Sequence, residues 1–191
     1  MRNQLKNRLS INDIYSLCLQ TQGKENNCLK EELYQLTFDE NDRVSFNALW
    51  ALGHFDEANN PWLFQKHDEL IDRVLVEKNE TRRHLMLHLL LRQPFEEESL
   101  RSDFIDFCIA KITACSQPYA IRCYCMKLAY EQMKYYPELL EELRMALDML
   151  EQEVLSPGLQ SAKRQIMKKI KRSLGKFGRT RFIKGKAYKR M

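Results

Sequence analysis

Residues 28–55 read CLKEELYQLTFDENDRVSFNALWALGHF and contain two apolar stripes separated by an acidic run. Its first part places Leu29, Leu33 and Leu36 on one face at helical spacing. The acidic run at residues 39–42 then indicates a short turn. A second apolar stripe follows the turn and contains Val44, Ala48, Ala51, Leu52 and Phe55. The stretch therefore predicts two antiparallel helices that pack their apolar faces together.

The same helix punctuation continues on both sides of this stretch. Capping residues or prolines mark helix starts, among them Ser10, Asn79, Pro118, Pro137 and Pro157. The second helix of each apparent pair begins near Arg43, Thr81, Pro118 and Pro157. These positions are 38, 37 and 39 residues apart. A near-constant period of this size is typical of repeats in which each helix pair stacks on the next.

The pattern predicts about nine helices and no strand. We expect an all-α fold, a short right-handed α–α superhelix of about four helix pairs with an N-terminal capping helix. This repeat domain is predicted over residues 1–174, with a basic C-terminal extension over residues 175–191. No apolar run of about 18 residues exists, so no membrane span is expected. Asn12 and Asp13 interrupt the first apolar stretch, which argues against a signal peptide and favours a cytoplasmic location.

Residues 28–55 resemble a HEAT repeat. The likeness consists of an apolar first helix, an acidic turn, a basic residue and small residues that permit close helix approach: Arg43, Val44, Ala48, Ala51, Leu52 and Gly53. Later repeats, up to Leu174, resemble the pattern in outline, with Arg82-Arg83 and Arg122 near the basic position. The resemblance implies stacked helix pairs and binding to macromolecules, and it implies no reaction.

Charge is distributed unevenly along the chain. The segment from Lys163 to Met191 holds 13 basic residues and no acid, whereas residues 1–162 hold 18 basic and 26 acidic residues, a net charge of −8. Basic side chains neutralise phosphates, and the interleaved Phe177, Phe182 and Tyr188 can stack on bases. The candidate binding residues are Lys168, Lys169, Lys171, Arg172, Lys176, Arg179, Arg181, Lys184 and Lys186.

Three interpretations of this basic end stay open: nucleic-acid binding, docking on the acidic body or on a protein, and no specific role. The favoured function is a non-enzymatic α-solenoid scaffold that binds a protein or nucleic-acid partner through its inner helix surface and basic end. The alternative is a DNA-repair enzyme similar to the alkylpurine DNA glycosylases, which are short helical-repeat proteins. A positive groove that holds a tryptophan and an aspartate would favour the enzyme, and an acidic or neutral groove would favour protein binding.

No motif indicates catalysis, a metal or a cofactor. The phosphate-binding patterns G-x-G-x-x-G and G-x-x-x-x-G-K-[ST] are absent from the sequence. His84 and His88 have a metal-ligand spacing, but HLMLH lacks the glutamate of the zinc motif and a third ligand. We therefore expect no metal and no cofactor. The six cysteines form no C-x-x-C pair and are predicted to be packed free thiols. Core positions are predicted for four aromatics that otherwise suit a groove for a base or a peptide: Tyr34, Trp50, Trp62 and Phe64.

Overall fold

The computed structural model describes residues 1–152 and 155–187, and the side chains of residues 1–150 and 155–177. Every regular element in these residues is an α-helix or a short 3-10 helix. The predicted all-α fold class is thereby confirmed. The chain divides into two compact units, residues 1–94 and residues 95–191. The predicted domain boundary near Leu174 stays a prediction.

The first unit runs from α1 to α7. Its helices are α1 (Arg2–Leu5), α2 (Ile11–Thr21), α3 (Asn27–Gln35), α4 (Asp42–Gly53), α5 (Asn60–Phe64), α6 (His67–Val76) and α7 (Glu80–Leu91). The caps at Ser10 and Asn79 are those that the sequence indicates, and Asn41 is a further cap. Ser10 and Asp13 form a capping box at α2. The side chains of Asn41 and Asn79 accept backbone N–H bonds at the starts of α4 and α7.

The second unit runs from α8 to α11. Its helices are α8 (Ser102–Thr113), α9 (Tyr119–Met133), α10 (Pro137–Asp148) and α11 (Pro157–Ala187). The repeat period holds across both units, since α4, α7, α9 and α11 begin at residues 42, 80, 119 and 157. In the first unit α4 packs against α7, and in the second α9 packs against α11.

Two predicted helices have different limits in the structure. Asn60-Pro61 and the apolar spacing behind it predict one helix, but the structure divides it into α5 and α6, because the chain ends α5 with tight i→i−3 bonds at Gln65 and Lys66. This break lets the Lys66 ammonium reach Glu31 at 2.7 Å. The last helix, expected to end near Leu174, continues to Ala187. No proline interrupts residues 158–187, and the glycines there weaken a helix by only about 1 kcal/mol each.

A repeated hydrogen bond fixes each second helix to the segment before it. The fourth residue of α4, α7, α9 and α11 donates a side-chain hydrogen bond to a backbone carbonyl at the end of the preceding helix or linker. The four pairs are Ser45 to Thr37, Arg83 to Glu77, Arg122 to Ile112 and Gln160 to Leu155. Carbonyls at a helix end lack intrahelical partners, so the bonds to Thr37, Glu77 and Ile112 satisfy acceptors that the helix leaves unpaired.

Small residues allow the close approach of α4 and α7. Ala48 and Ala51 are fully buried. A Cβ atom at Gly53 would lie 3.3 Å from Nδ1 of His88 on α7, which is closer than ordinary contact. The sequence predicted a close approach of the two helices within residues 28–55, whereas Gly53 lies against the later helix α7. Leu52, which belongs to the predicted apolar stripe, and Leu89 on α7 are also buried.

Candidate functional site

Helix α11 buries an apolar stripe and exposes a basic face. The buried side chains recur every three or four residues and are Leu159, Ala162, Ile166 and Ile170. They face α9 and α10, against which α11 packs. A contact between the hydroxyl oxygens of Tyr130 and Ser173, 3.0 Å apart, also joins α9 to α11. Most of the basic side chains of α11 occupy the remaining positions of the helix and therefore point away from the buried stripe.

Four side chains define what we call the basic face of α11: Arg164, Lys168, Lys171 and Arg172. All four are exposed. None forms an ion pair with a described residue. Lys176 is also exposed and continues the four-residue spacing of Arg164, Lys168 and Arg172.

The remaining predicted site residues of this helix differ from these. Lys169 is engaged with α9, since its ammonium lies 3.3 Å from Glu131 and 5.0 Å from the ring centroid of Tyr130. Helix α11 also contains Arg179, Arg181, Lys184 and Lys186, whose side chains lie outside the described part of the chain, as does that of Phe182. Tyr188 lies beyond the described residues. Lys169 is therefore a predicted site residue whose charge is met by an acid of the same unit.

The first unit contains a second feature, a cleft of about 690 Å³. It lies at the N-terminal ends of α4 and α7 and along residues 7–9. Guanidinium groups and aromatic rings line it, from Arg8, Arg43, Phe46, Trp50 and Arg82. We call it the aromatic cleft. Sequence reasoning missed it because residues 7–9 reach this position only through long-range contacts.

Hydrogen bonds hold the segment at residues 7–9 against α4. The buried Asn47 side chain donates to the carbonyl of Leu5 at 2.9 Å and to that of Asn7 at 3.1 Å. Two bonds between Arg2 and Asp39 fix α1 to the same unit. The ion pair holds the pKa of the Asp39 carboxyl below its usual range. Arg8 is therefore placed at the cleft by a segment anchored on both sides of Leu5.

The cleft carries more positive than negative charge. Arg82 lies 3.2 Å from Asp42 and 3.0 Å from Glu77, so both carboxylates share one guanidinium. Arg8 and Arg43 are exposed and have no ion-pair partner among the described residues. Arg43, at the position that resembles the basic residue of a HEAT repeat, thus lines the cleft. The side-chain bond to the preceding segment comes from Ser45, two residues later.

The predicted core aromatics divide between the core and this cleft. Tyr34 is fully buried, and burial raises the pKa of its hydroxyl. Trp62 and Phe64 are half-buried. Trp62 lies edge-on to Tyr34, with the Lys30 ammonium 5.3 Å from its ring centroid. Trp50 is half-buried and lines the cleft, so the core prediction is wrong for Trp50.

The residues that suggested metal or thiol chemistry were the histidines of α7 and the cysteines. Among the described residues, no group of three His, Cys, Asp or Glu side chains could hold a metal ion. Burial lowers the pKa of His84. The cysteines are free thiols, of which Cys18, Cys108 and Cys125 are buried. Cys28 and Cys115 are exposed, so the packed-thiol prediction is wrong for these two. No described helix is long and apolar enough to cross a membrane.

Comparison with known proteins gives a family. No curated protein sequence matches the chain. The family model described as HEAT repeat domain matches residues 1–170, which include both units up to the buried stripe of α11. The helix pairs, their 38- or 39-residue period and this match agree, and the chain belongs to the HEAT repeat domain family.

Proposed function

We propose that this chain is a non-enzymatic helical-repeat scaffold that binds nucleic acid along the basic face of α11. The observation that carries the proposal is the concentration of positive charge on the exposed face of this helix. Residues 157–187 include no acidic side chain, and the apolar stripe of α11 is held against α9 and α10. Basic residues are thus presented together on a helix whose orientation within its unit is fixed by packing.

The spacing of these charges is unfavourable without a partner. Arg164, Lys168 and Arg172 follow one another at four-residue intervals. Like charges at this spacing destabilise a helix by about 0.2–0.5 kcal/mol per pair. A phosphate backbone relieves this repulsion, and it releases condensed counterions when the basic side chains neutralise it. A polyanion is therefore the partner that this face suits best.

The first test is the salt dependence of duplex DNA binding, measured by fluorescence anisotropy. If the four residues of the basic face each reach a phosphate, the slope of log K against log salt is about −3.6, at about −0.9 per phosphate. Little sequence preference is expected, because phosphate contacts carry no base information.

Two alanine variants supply the comparison. Alanine at Arg164, Lys168, Lys171 and Arg172 together is expected to abolish measurable binding while the helical spectrum is kept, since alanine favours helix. Lys169→Ala is the matched control, because the Lys169 charge already lies beside Glu131. It is expected to keep the wild-type slope within error. Equal loss in both variants would show that overall charge, and not this face, governs binding.

The interpretation as a protein-docking or internal contact makes the opposite prediction. Wild-type protein would then bind neither duplex DNA nor RNA at low salt. Tight binding that survives the four-alanine variant would also contradict the proposal, and would move the nucleic-acid site elsewhere on the molecule.

A DNA-repair glycosylase is the second candidate, because Trp50 and Asp42 line one positively charged cleft. The geometry of Asp42 argues against it, since this side chain is 73% exposed and lies 3.2 Å from Arg82. A carboxylate that acts as a general base is normally tuned by burial and by its neighbours. Release of alkylated bases from methylated duplex DNA, lost in Asp42→Asn, would nevertheless favour the enzyme. We expect no release.

A further inference from the structure

We propose that the first unit has a docking surface for an acidic protein segment that carries large apolar side chains. The surface consists of the aromatic cleft and an apolar stripe on α2. It lies apart in sequence from the basic face of α11 and goes beyond the nucleic-acid binding proposed above.

The apolar stripe is the second apolar face of α2. One face buries Ile14, Leu17 and Cys18 in the core. A second row on this helix consists of Ile11, Tyr15 and Leu19 at four-residue intervals. These side chains are 40%, 51% and 75% exposed. Scattered exposed apolar residues are normal, but an aligned row on one helix is typical of an interaction surface. Helix α2 therefore offers an apolar ridge to solvent.

A row of rings connects this stripe to the aromatic cleft. Ring centroids of Tyr15 and His54 are 5.6 Å apart, those of His54 and Trp50 are 6.0 Å apart, and those of Trp50 and Phe46 are 5.9 Å apart. Phe46, Trp50 and His54 are all half-buried. The surface is thus continuous from α2 to the cleft, and its rings are held by contact with one another.

The composition of this surface favours a protein over a nucleic acid. Tyrosine, tryptophan and arginine are the residues that most often dominate the energy of protein interfaces. Rings alone would also stack on bases, but Ile11 and Leu19 offer nothing to a phosphate or a sugar. An aliphatic ridge beside aromatic rings instead matches the apolar side chains of a peptide or helix.

Charge at the cleft end selects an acidic partner. Residues 1–94 hold 12 basic and 14 acidic residues, so the unit as a whole is slightly acidic. Arg8 and Arg43 nevertheless stand exposed at the cleft without an ion-pair partner among the described residues. Guanidinium groups bind carboxylates through two parallel hydrogen bonds. The positive charges of Arg8 and Arg43 would also repel basic segments.

The test uses the full chain with Trp62→Phe, which leaves Trp50 as its single tryptophan. The probes are a pool of peptides with leucines at varied positions among glutamates. A second pool replaces the leucines by serine, and a third replaces the glutamates by lysine. Saturable change in Trp50 emission is expected only with the leucine–glutamate pool.

Variants then locate the contact by titration calorimetry with the tightest peptide. Trp50→Ala, and Arg8→Glu combined with Arg43→Glu, are each expected to weaken binding about tenfold or more, as hot-spot residues do. Arg73→Glu is the matched control. Arg73 is an exposed arginine of the same unit, stacked on Phe38 and outside the cleft, and its reversal is expected to change binding less than twofold.

Three results would overturn the inference: equal binding of the serine pool, no saturable response to any pool, or quenching of Trp50 by single-stranded DNA that displaces the peptides. All these variants leave α11 intact. The duplex-DNA salt slope is therefore expected to stay at its wild-type value in each of them, so failure of this surface and failure of the basic face are distinguishable.

Discussion

Arginines at helix positions perform different tasks in this molecule. Arg92, at the end of α7, donates to the carbonyls of Leu52 at 3.1 Å and Gly53 at 3.0 Å. It also reaches the carbonyl of Phe55 and the side chain of Asn60, so one guanidinium satisfies the end of α4. Burial lowers the pKa of this guanidinium. By contrast Arg43 is exposed, with no ion-pair partner among the described residues.

Replacing Arg92 should therefore destabilise the first unit. Arg92→Met removes four donated hydrogen bonds and leaves backbone carbonyls at the end of α4 without partners. A hydrogen bond from a charged group is worth about 1.5–3 kcal/mol, so we expect a total loss of about 3 kcal/mol in the free energy of unfolding, measured in urea. Arg43→Met is the matched control, for which a change within about 0.5 kcal/mol is expected. Equal effects in the two variants would contradict the assignment.

At the scale of the element, the fourth residue of each second helix sets how that helix joins the preceding segment. The donors differ in type, being serine, arginine, arginine and glutamine, while the acceptor is each time a backbone carbonyl. A sequence comparison of the repeats would see little likeness at this position. The shared property is a side-chain donor that reaches a backbone carbonyl of the preceding segment.

Ser45→Ala tests this repeated bond in the repeat whose donor side chain is the shortest. Ser45 is fully buried, and its hydroxyl donates to the carbonyl of Thr37 at 2.5 Å. An unsatisfied buried acceptor costs about 1–3 kcal/mol, which exceeds the gain of less than about 1 kcal/mol in helix propensity from alanine. The midpoint of urea unfolding should fall. Ser16→Ala, at an exposed position of α2, should leave it unchanged or raise it slightly. A lower midpoint for Ser16→Ala than for Ser45→Ala would refute the role.

Sequence alone predicted those features that local chemistry controls. Ser10 and Asn79 cap their helices by bonds to residues two or three positions away, so their role is visible in the sequence. The break between α5 and α6 was missed, because it accompanies the contact of Lys66 with Glu31, 35 residues earlier. The aromatic cleft was missed for the same reason, since the Asn47 side chain donates hydrogen bonds to the carbonyls of Leu5 and Asn7, which precede α2 in the sequence. Arg164, Lys168 and Arg172 could be placed on one polar face by periodicity, whereas the engagement of Lys169 required the position of Glu131.

At the scale of the whole molecule, charge and burial distinguish parts of the chain. Acidic residues are absent beyond residue 153, and the basic face of α11 belongs to that segment. Buried thiols are found in both units, Cys18 in the first and Cys108 and Cys125 in the second. Their burial provides a probe of the packing of α2, α8 and α9 in a single experiment.

Alkylation of the six thiols should reproduce this distribution of burial. Burial raises the pKa of the Cys18 thiol to about 11 and that of Cys108 well above its usual 9.0, where a hydrogen bond with Cys125 adds to the effect. Because the thiolate is the nucleophile, a thiol of pKa 11 presents about a hundredfold less of it at pH 8 than one of pKa 9, apart from steric protection.

With iodoacetamide followed by peptide mass spectrometry, Cys28 and Cys115 should react first. Cys123, half-buried and with its pKa raised by burial, should follow. Cys18, Cys108 and Cys125 should react last, and all six should react alike in concentrated guanidinium. In the variant with Cys28→Ser and Cys115→Ser the fast phase should disappear while the slow phases are unchanged. Fast labelling of Cys18 or Cys108 in the native protein would show that its helices do not pack as described.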